Sequence, residues 1–344
     1  MTPAVPGPPA PLDPALLAPL DPEQALHLLD GLTWLPADGP DRWRRVADHL
    51  AARLPDRPAP APRDCRDAAR ALAAALGGPA AEGGAPAGTA ALYRAKYDLI
   101  ALLHPDPWFT FLNMGHCTAG PDGPDRCADP ELPGTGRHGG ALYDLTAAPA
   151  PLEGAAVLDV GCGRGGGTAR LARTRRPRTV TGLDASPRNV AHCRRDHAAP
   201  GLSFRYGEAD RLPFPDASFD AVVSVESVHC FPDPGRFLAE AARVLRPGGH
   251  LLLADEWPAA DVHGPARAAT AAGLRVEAVE DVTAGVLRSL ERLPAEAARL
   301  LPTLDGARRD SYARFFADRV GRDSAGLYRS GRCVYLRVHA RRQG

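Results

Sequence analysis

The chain has 344 residues, 41 acidic and 41 basic groups, and a hydrophobic share of 44%, which suits one large domain plus a smaller one. The balanced charge gives no basic excess of the kind that binds nucleic acid or acidic lipid. No apolar run is long enough to span a membrane, and the proline-rich start is not basic and then apolar, so neither a membrane span nor a secretory signal is expected.

Residues 1–20 read as disordered. Pro22 to Leu32 has helical spacing with Asp21 as cap, and Asp41 to Leu54 carries Trp43, Val46, Leu50 and Leu54 on one stripe. Arg66 to Leu76 is an alanine-rich third helix closed by Gly77 and Gly78, and residues 55–65 and 77–88 read as linkers. Residues 21–88 therefore form a small helical unit, which either supplies a dimerisation or docking surface, a homodimer included, or only packs against the rest. Residues 89–344 form a second domain, with a core at 140–282, two cap helices at 283–320 and a last strand at 331–339. It opens with a helix from Thr89 to Leu103, stopped by His104, Pro105, Asp106 and Pro107. Asn113, Met114 and Gly115 follow. Residues 118–138 are a loop too long for a simple connection, hence a mobile segment or a lid.

Val157 to Val160 is a short branched apolar run, as a buried strand requires. Gly161, Cys162, Gly163, Arg164, Gly165, Gly166 and Gly167 then turn into a helix from Thr168. Strand, glycine turn and helix make a nucleotide-binding corner, since glycine lets a ligand approach backbone. The glycine spacing alone also fits a dinucleotide. Asp159, two residues before the first glycine, favours a cofactor with an amino group and a sulfonium over a pyrophosphate. A second strand ends at Asp184, about twenty residues beyond the glycines, where a ribose partner belongs. Pro187 to His197 is a helix, Leu202 to Ala209 a third strand and turn, and Phe219 to Val225 a fourth strand. A helix ends near Arg243, and His250 to Asp255 is a fifth strand. Such alternation implies a parallel sheet covered on both faces. Further on come a helix at 259–272, a strand at 274–279, helices at 283–301 and 308–320, and a final strand at 332–338.

The glycine string with Asp159, together with Leu212-Pro213-Phe214, residues 225–233 and residues 237–249, resembles the class I S-adenosylmethionine-dependent small-molecule methyltransferases. It is most similar to the phthiotriolone dimycocerosate-type O-methyltransferases of polyketide and other natural-product pathways. Asn113 to Gly115 and Tyr328-Arg329 echo the same branch, and the first 90 residues find no counterpart there. The resemblance implies a Rossmann-like, doubly wound, mainly parallel α/β sheet with a helical cap. It implies S-adenosyl-L-methionine as cofactor, S-adenosyl-L-homocysteine as product, and an apolar small-molecule acceptor. Asp159, Gly161, Cys162 and Gly163 are the residues expected at the cofactor's amino acid end, Asp184 and Ala185 at the ribose, and Glu208 and Ala209 at the adenine. Val225 and Asn113 complete the set; the family more often has Asp where Glu208 stands.

Methyl transfer is an in-line displacement, so alignment and exclusion of water carry much of it. A protonated alcohol is a poor nucleophile, and a positioned base helps. Residues just after the fourth strand lie near the reacting methyl group. His229 is the base candidate and Glu226 the alternative, while Asp255 and Glu256 read as ordinary strand-end carboxylates and no metal is expected. Carbon methylation stays open, as does a repurposed cofactor-binding protein without catalysis. A nicotinamide oxidoreductase is disfavoured by Asp159. The cysteines, Cys65, Cys117, Cys127, Cys162, Cys193, Cys230 and Cys333, are odd in number and lack metal-site spacing, so reduced thiols in a cytoplasm are expected.

Overall fold

The computed structural model of the protein describes residues 10–34, 41–75, 89–118, 135–320 and 324–344. Contacts divide the chain into a helical unit, Pro9–Leu103 with Ser186–Arg188, and a larger unit holding His104–Ala185 and Asn189–Gly344.

Leucine and alanine stripes build the helical unit. It contains α1 (Pro22–Trp34), α2 (Arg42–Arg53), α3 (Pro62–Ala75) and α4 (Thr89–Leu103). Asp21 caps α1, accepting the Glu23 and Gln24 N–H groups at 2.9 and 3.0 Å, while the Gln24 side-chain oxygen accepts the Asp21 N–H. This satisfies donors that a helix start leaves open. Leu28, Leu29, Val46, Leu50, Leu72 and Leu99 share one core. Two expectations change here. The boundary at residue 88 moves past Leu103, because Leu92, Ala95 and Leu99 of α4 bury in that core. The reading of residues 1–20 as disordered does not hold from residue 10 onward. Leu12, Leu17 and Leu20 join the same core, and the Leu12 N–H donates to buried Asp98 at 2.9 Å. Residues 1–9 lie outside the described residues, as do 76–88 of the expected linker.

In the larger unit, α5 (Thr135–Ala147) precedes β1 (Ala156–Val160), α6 (Gly166–Arg175), β2 (Thr179–Asp184), α7 (Pro187–Asp196), β3 (Leu202–Tyr206) and β4 (Phe219–Val225). Then come α8 (Pro234–Val244), β5 (Leu245–Pro258), α9 (Gly264–Ala271), β6 (Leu274–Asp281), α10 (Thr283–Leu300), α11 (Gly306–Val320), α12 (Ser324–Arg329) and β7 (Cys333–Arg342). The sheet order is β3-β2-β1-β4-β5-β7-β6. Strands β1 to β5 pair in parallel, and β7 runs antiparallel to both β5 and β6. Alternate strand residues feed opposite faces. Val157, Val223 and Leu252 pack with α5, α6 and α10, while Leu158, Val222, Leu251 and Leu253 pack with α8 and α9. The fold is the expected Rossmann-like doubly wound sheet. The chain reverses direction across the sheet between β1 and β4, so a crevice opens at the carboxyl ends of those strands.

The expected loop at 118–138 runs into α5, whose Gly136, Gly139 and Gly140 disfavour a helix on propensity alone. Burial of Leu142, Tyr143 and Ala147 in the core overrides that cost. Residues 119–134 of that loop lie outside the described residues. The expectation of reduced thiols throughout is also corrected. Cys117 is disulfide-bonded, whereas, among the described residues, Cys65, Cys162, Cys193, Cys230 and Cys333 are free. Seven cysteines leave room for up to three pairs, and spacing alone did not reveal this bond. Among the described residues, no helix is long and apolar enough to cross a membrane.

Candidate cofactor and acceptor site

The corner after β1 is built from backbone. The Gly161 and Cys162 N–H groups donate to the Leu183 carbonyl at 2.8 and 3.0 Å, locking the turn to the end of β2. Gly161 has φ +74°, and a Cβ there would lie 2.5 Å from Ser227, so only glycine fits. The Ser227 hydroxyl donates to the Gly161 carbonyl at 2.9 Å, joining the turn to the residues after β4. Asp184 accepts the Gly163 N–H at 2.8 Å and the Asn189 amide at 3.2 Å. Ala185 follows, half-buried.

Asp159 is fully enclosed. It accepts the Thr168 hydroxyl at 2.7 Å and the Tyr143 hydroxyl at 3.3 Å. Burial raises its carboxyl to about 7, with Asp184 adding to the rise and the bonds from Thr168 and Tyr143 opposing it. The Tyr143 ring reaches this carboxylate across Gly167, where a Cβ would lie 1.9 Å from the ring.

The acidic groups of the corner are Asp159 and Asp184. The guanidinium of Arg164 turns away, onto the carbonyls of His104 and Asp106 at 2.6 and 3.2 Å. Two acids at the turn, with the Arg164 guanidinium directed elsewhere, suit an ammonium, a sulfonium and ribose hydroxyls better than a pyrophosphate. The residues present therefore fit S-adenosylmethionine.

The end of β4 is built from side chains instead. Asp255, at 1% exposure, accepts the Ser227 and Val228 N–H groups at 2.9 and 2.6 Å. Its other oxygen lies 2.6 Å from His229 Nδ1. Burial disfavours a charged imidazole, but Cys230 and Asp255 outweigh it and raise His229 well above its ordinary value. Glu226 sits at φ +54°, a strained position for a side-chain-bearing residue. Its carboxylate accepts the Met114 N–H at 2.6 Å and the Tyr335 hydroxyl at 3.0 Å. Burial and then Glu226 push the Tyr335 phenol up. The neighbouring Glu256 accepts the Tyr328 hydroxyl at 2.9 Å.

The remaining expected residues are spread more widely. Asn113 lies buried on the segment before α5, its side-chain amide oxygen accepting the Gly115 N–H at 2.9 Å. Glu208 accepts the Tyr206 hydroxyl at 2.9 Å just after β3. The side chains of Cys162, Ala209 and Val225 belong to apolar clusters, which leaves their backbone to line a site. Sequence reasoning read Asp255 as an ordinary strand-end carboxylate without linking it to His229, and it did not single out Tyr143 or Tyr335. Asp255 had a usable signal, an acid closing an apolar strand as Asp184 does. The two tyrosines lay far from any motif and offered none.

A methyltransferase domain family profile matches residues 158–253. A fatty-acid O-methyltransferase of Mycolicibacterium smegmatis is 44% identical over 198 residues, covering 56% of this chain and 71% of that protein. Phthiotriol/phenolphthiotriol dimycocerosates methyltransferase 1 of Mycobacterium ulcerans is 43% identical over 151 residues, 44% of this chain and 56% of that protein. The chain thus spans little more than half of the latter's length. Among solved structures, the cyclopropane synthase MmaA2 of Mycobacterium tuberculosis aligns with a TM-score of 0.54 at 19% identity, over 72% of this chain and 95% of that one. The [4+2]-cyclase SpnF aligns with a TM-score of 0.53 at 23% identity, over 73% and 94%. At such identities the likeness concerns the fold.

Proposed function

The chain belongs to the S-adenosylmethionine-dependent methyltransferases, and from that premise we propose that it methylates a hydroxyl oxygen of an apolar small molecule in polyketide-like secondary metabolism. The observation that carries this reading is the 2.6 Å contact between His229 and Asp255 at the carboxyl end of β4. It lies beside the glycine turn, which Ser227 ties to the same segment. The bound cofactor supplies an electrophilic methyl group on a sulfonium.

Asp184 and Ala185 would hold its ribose, the turn from Gly161 to Gly163 its amino acid end, and Glu208 and Ala209 its adenine. Asn113 and the backbone of Val225 would close the pocket. Asp159, enclosed by Thr168 and Tyr143, would act as a negative charge behind the turn. His229 takes the acceptor proton once its imidazole is neutral, and Asp255 fixes the ring's orientation and supports the imidazolium that results. Glu226 serves to hold Met114 and Tyr335 rather than as the base, since its carboxylate is engaged by both.

The names of the two relatives, one acting on fatty acids and one on phthiotriols, support an apolar, lipid-like acceptor. Carbon methylation is a second reading, favoured by three carboxylates, Glu226, Asp255 and Glu256, at one end of the sheet. They would offset positive charge developing on an alkene carbon. The test is incubation with S-adenosylmethionine and matched long-chain alcohols, phenols, fatty acids and alkenes, with product analysis by mass spectrometry and NMR. O-methyl ethers are expected. Methylation confined to carbon or to carboxylates would overturn the hydroxyl reading. A cytoplasmic location and a homodimer through α1 to α4 belong to the same proposal, to be checked by cell fractionation and light scattering.

A further inference from the structure

Arg164 stands within the glycine turn, yet its side chain does not face the crevice. It is 1% exposed, donates to the carbonyls of His104 and Asp106 at 2.6 and 3.2 Å, and lies 3.8 Å from Asp196. The segment it holds runs across the turn, where Gly166 donates to the Thr110 carbonyl at 3.2 Å.

The other side of that segment is bound to α11, one of the helices inserted before the last strand. The Asp106 carboxylate, itself buried, accepts the Tyr312 hydroxyl at 2.9 Å and pairs with Arg308. His104 Nε2 lies 3.2 Å from the Ser311 hydroxyl. Tyr312 packs on His104 and Phe109, with ring centroids 4.5 and 5.3 Å apart, and Phe315 meets Phe109 edge-on at 5.0 Å. Residues 104–109 are thus clamped between the cofactor turn and α11, with buried polar contacts on each side.

We propose that Arg164, Asp106 and Tyr312 form a relay through which α11 positions the glycine turn, so that cofactor binding and the packing of α11 are thermodynamically linked. None of the three touches the reacting atoms, and they act as positioning residues. The inference rests on the cofactor reading above. Physically, Asp106 uses both its carbonyl and its carboxylate. A shift of α11 pulls on the same residue that fixes Arg164, and densely packed buried contacts move together rather than yielding one by one. Linkage then requires the effect to run both ways.

The test uses the full chain and S-adenosylhomocysteine as ligand, read by calorimetry and amide hydrogen exchange. In the wild type, ligand should slow exchange across residues 306–317 of α11. Tyr312→Phe, remote from the cofactor, should weaken S-adenosylhomocysteine binding about fivefold or more and blunt that protection. Arg164→Lys, which keeps the charge but loses the two-carbonyl fork, should do the same. Arg309→Gln, on the same helix but paired only at the surface with Asp310, should bind like the wild type. If the wild type binds no S-adenosylhomocysteine, the cofactor reading fails. If it binds while α11 exchange stays unchanged, or folded Tyr312→Phe binds with wild-type affinity, the relay is refuted. The hydrogen-exchange arm needs no variant, so a poorly folding Arg164→Lys does not leave the question open.

Discussion

The turn after β1 and the residues after β4 face the same crevice but are made in opposite ways. The turn is local. One run from Asp159 to Gly167 folds on itself, and its main-chain N–H groups reach β2, donating to the Leu183 carbonyl and the Asp184 carboxylate. The β4 end is assembled from distant pieces: Glu226 meets Met114 across 112 positions and Tyr335 across 109, and His229 meets Asp255 across 26. Backbone sites tolerate side-chain change as long as the turn survives. Side-chain sites depend on single charges and single hydrogen bonds, so substitutions in the two regions should fail differently: binding in the first, turnover in the second.

The largest effect is expected at His229. His229→Ala should lower turnover by roughly a hundred- to ten-thousandfold while leaving S-adenosylhomocysteine affinity unchanged in calorimetry. Because Cys230 and Asp255 raise the imidazole above its ordinary value, it becomes a free base only at a pH above that of an ordinary histidine. The wild-type rate should therefore climb with pH, with a midpoint above about 6.5. A flat profile, or normal turnover in the variant, would make His229 structural.

Asp159→Asn comes next and probes stability. The carboxyl is raised from 3.8 to about 7 in the fold. The ligand-free fold therefore holds a proton that the unfolded chain releases, and stability should fall as pH rises through that window. At 1.36 kcal/mol per unit the loss approaches about 4 kcal/mol by pH 8. Asparagine cannot ionise, so thermal melts of the variant should lack this decline even as cofactor affinity drops. A wild-type melting temperature constant between pH 5 and 8 would contradict the assignment.

Asp184→Ala should weaken cofactor binding by roughly ten- to a hundredfold, the loss of a charge-assisted bond of about 1.5–3 kcal/mol. Turnover at saturating cofactor should change little, and a large loss there would erase the contrast between the two regions. The smallest effect is expected from Asp255→Asn. It retains an acceptor for the Ser227 and Val228 N–H groups but removes the negative charge beside His229. Turnover should fall about tenfold, less than the roughly hundredfold or more expected for loss of the base itself, and the midpoint of the rate profile should move down in pH. An unmoved midpoint would mean that Asp255 does not tune His229.

Most of the fold was legible because its strands are short apolar runs and its helices carry clear stripes. Thr89 to Leu103 emerged with the expected bounds, and β1, β2 and β4 lie where the runs placed them. The misses share a cause. Helix α5 carries three glycines in its first six residues, and the leucine and tyrosine that hold it make their contacts with distant strands. The boundary after α4 depended on where Leu92 and Leu99 bury, which periodicity does not state.

The sequence by itself determined the order of strands and helices, the glycine turn and the acids that close β1 and β2. These follow from local periodicity and from the backbone freedom of glycine, and both act over a few neighbouring residues. Tertiary structure alone decided that Asp255 holds His229, that Glu226 is engaged by Met114 and Tyr335, that Tyr143 reaches Asp159 across Gly167, and that Arg164 turns away from the crevice toward Asp106. Each of these is a buried polar contact between residues far apart in the chain. Burial makes such groups find partners, and only the packed fold determines which partner is within reach.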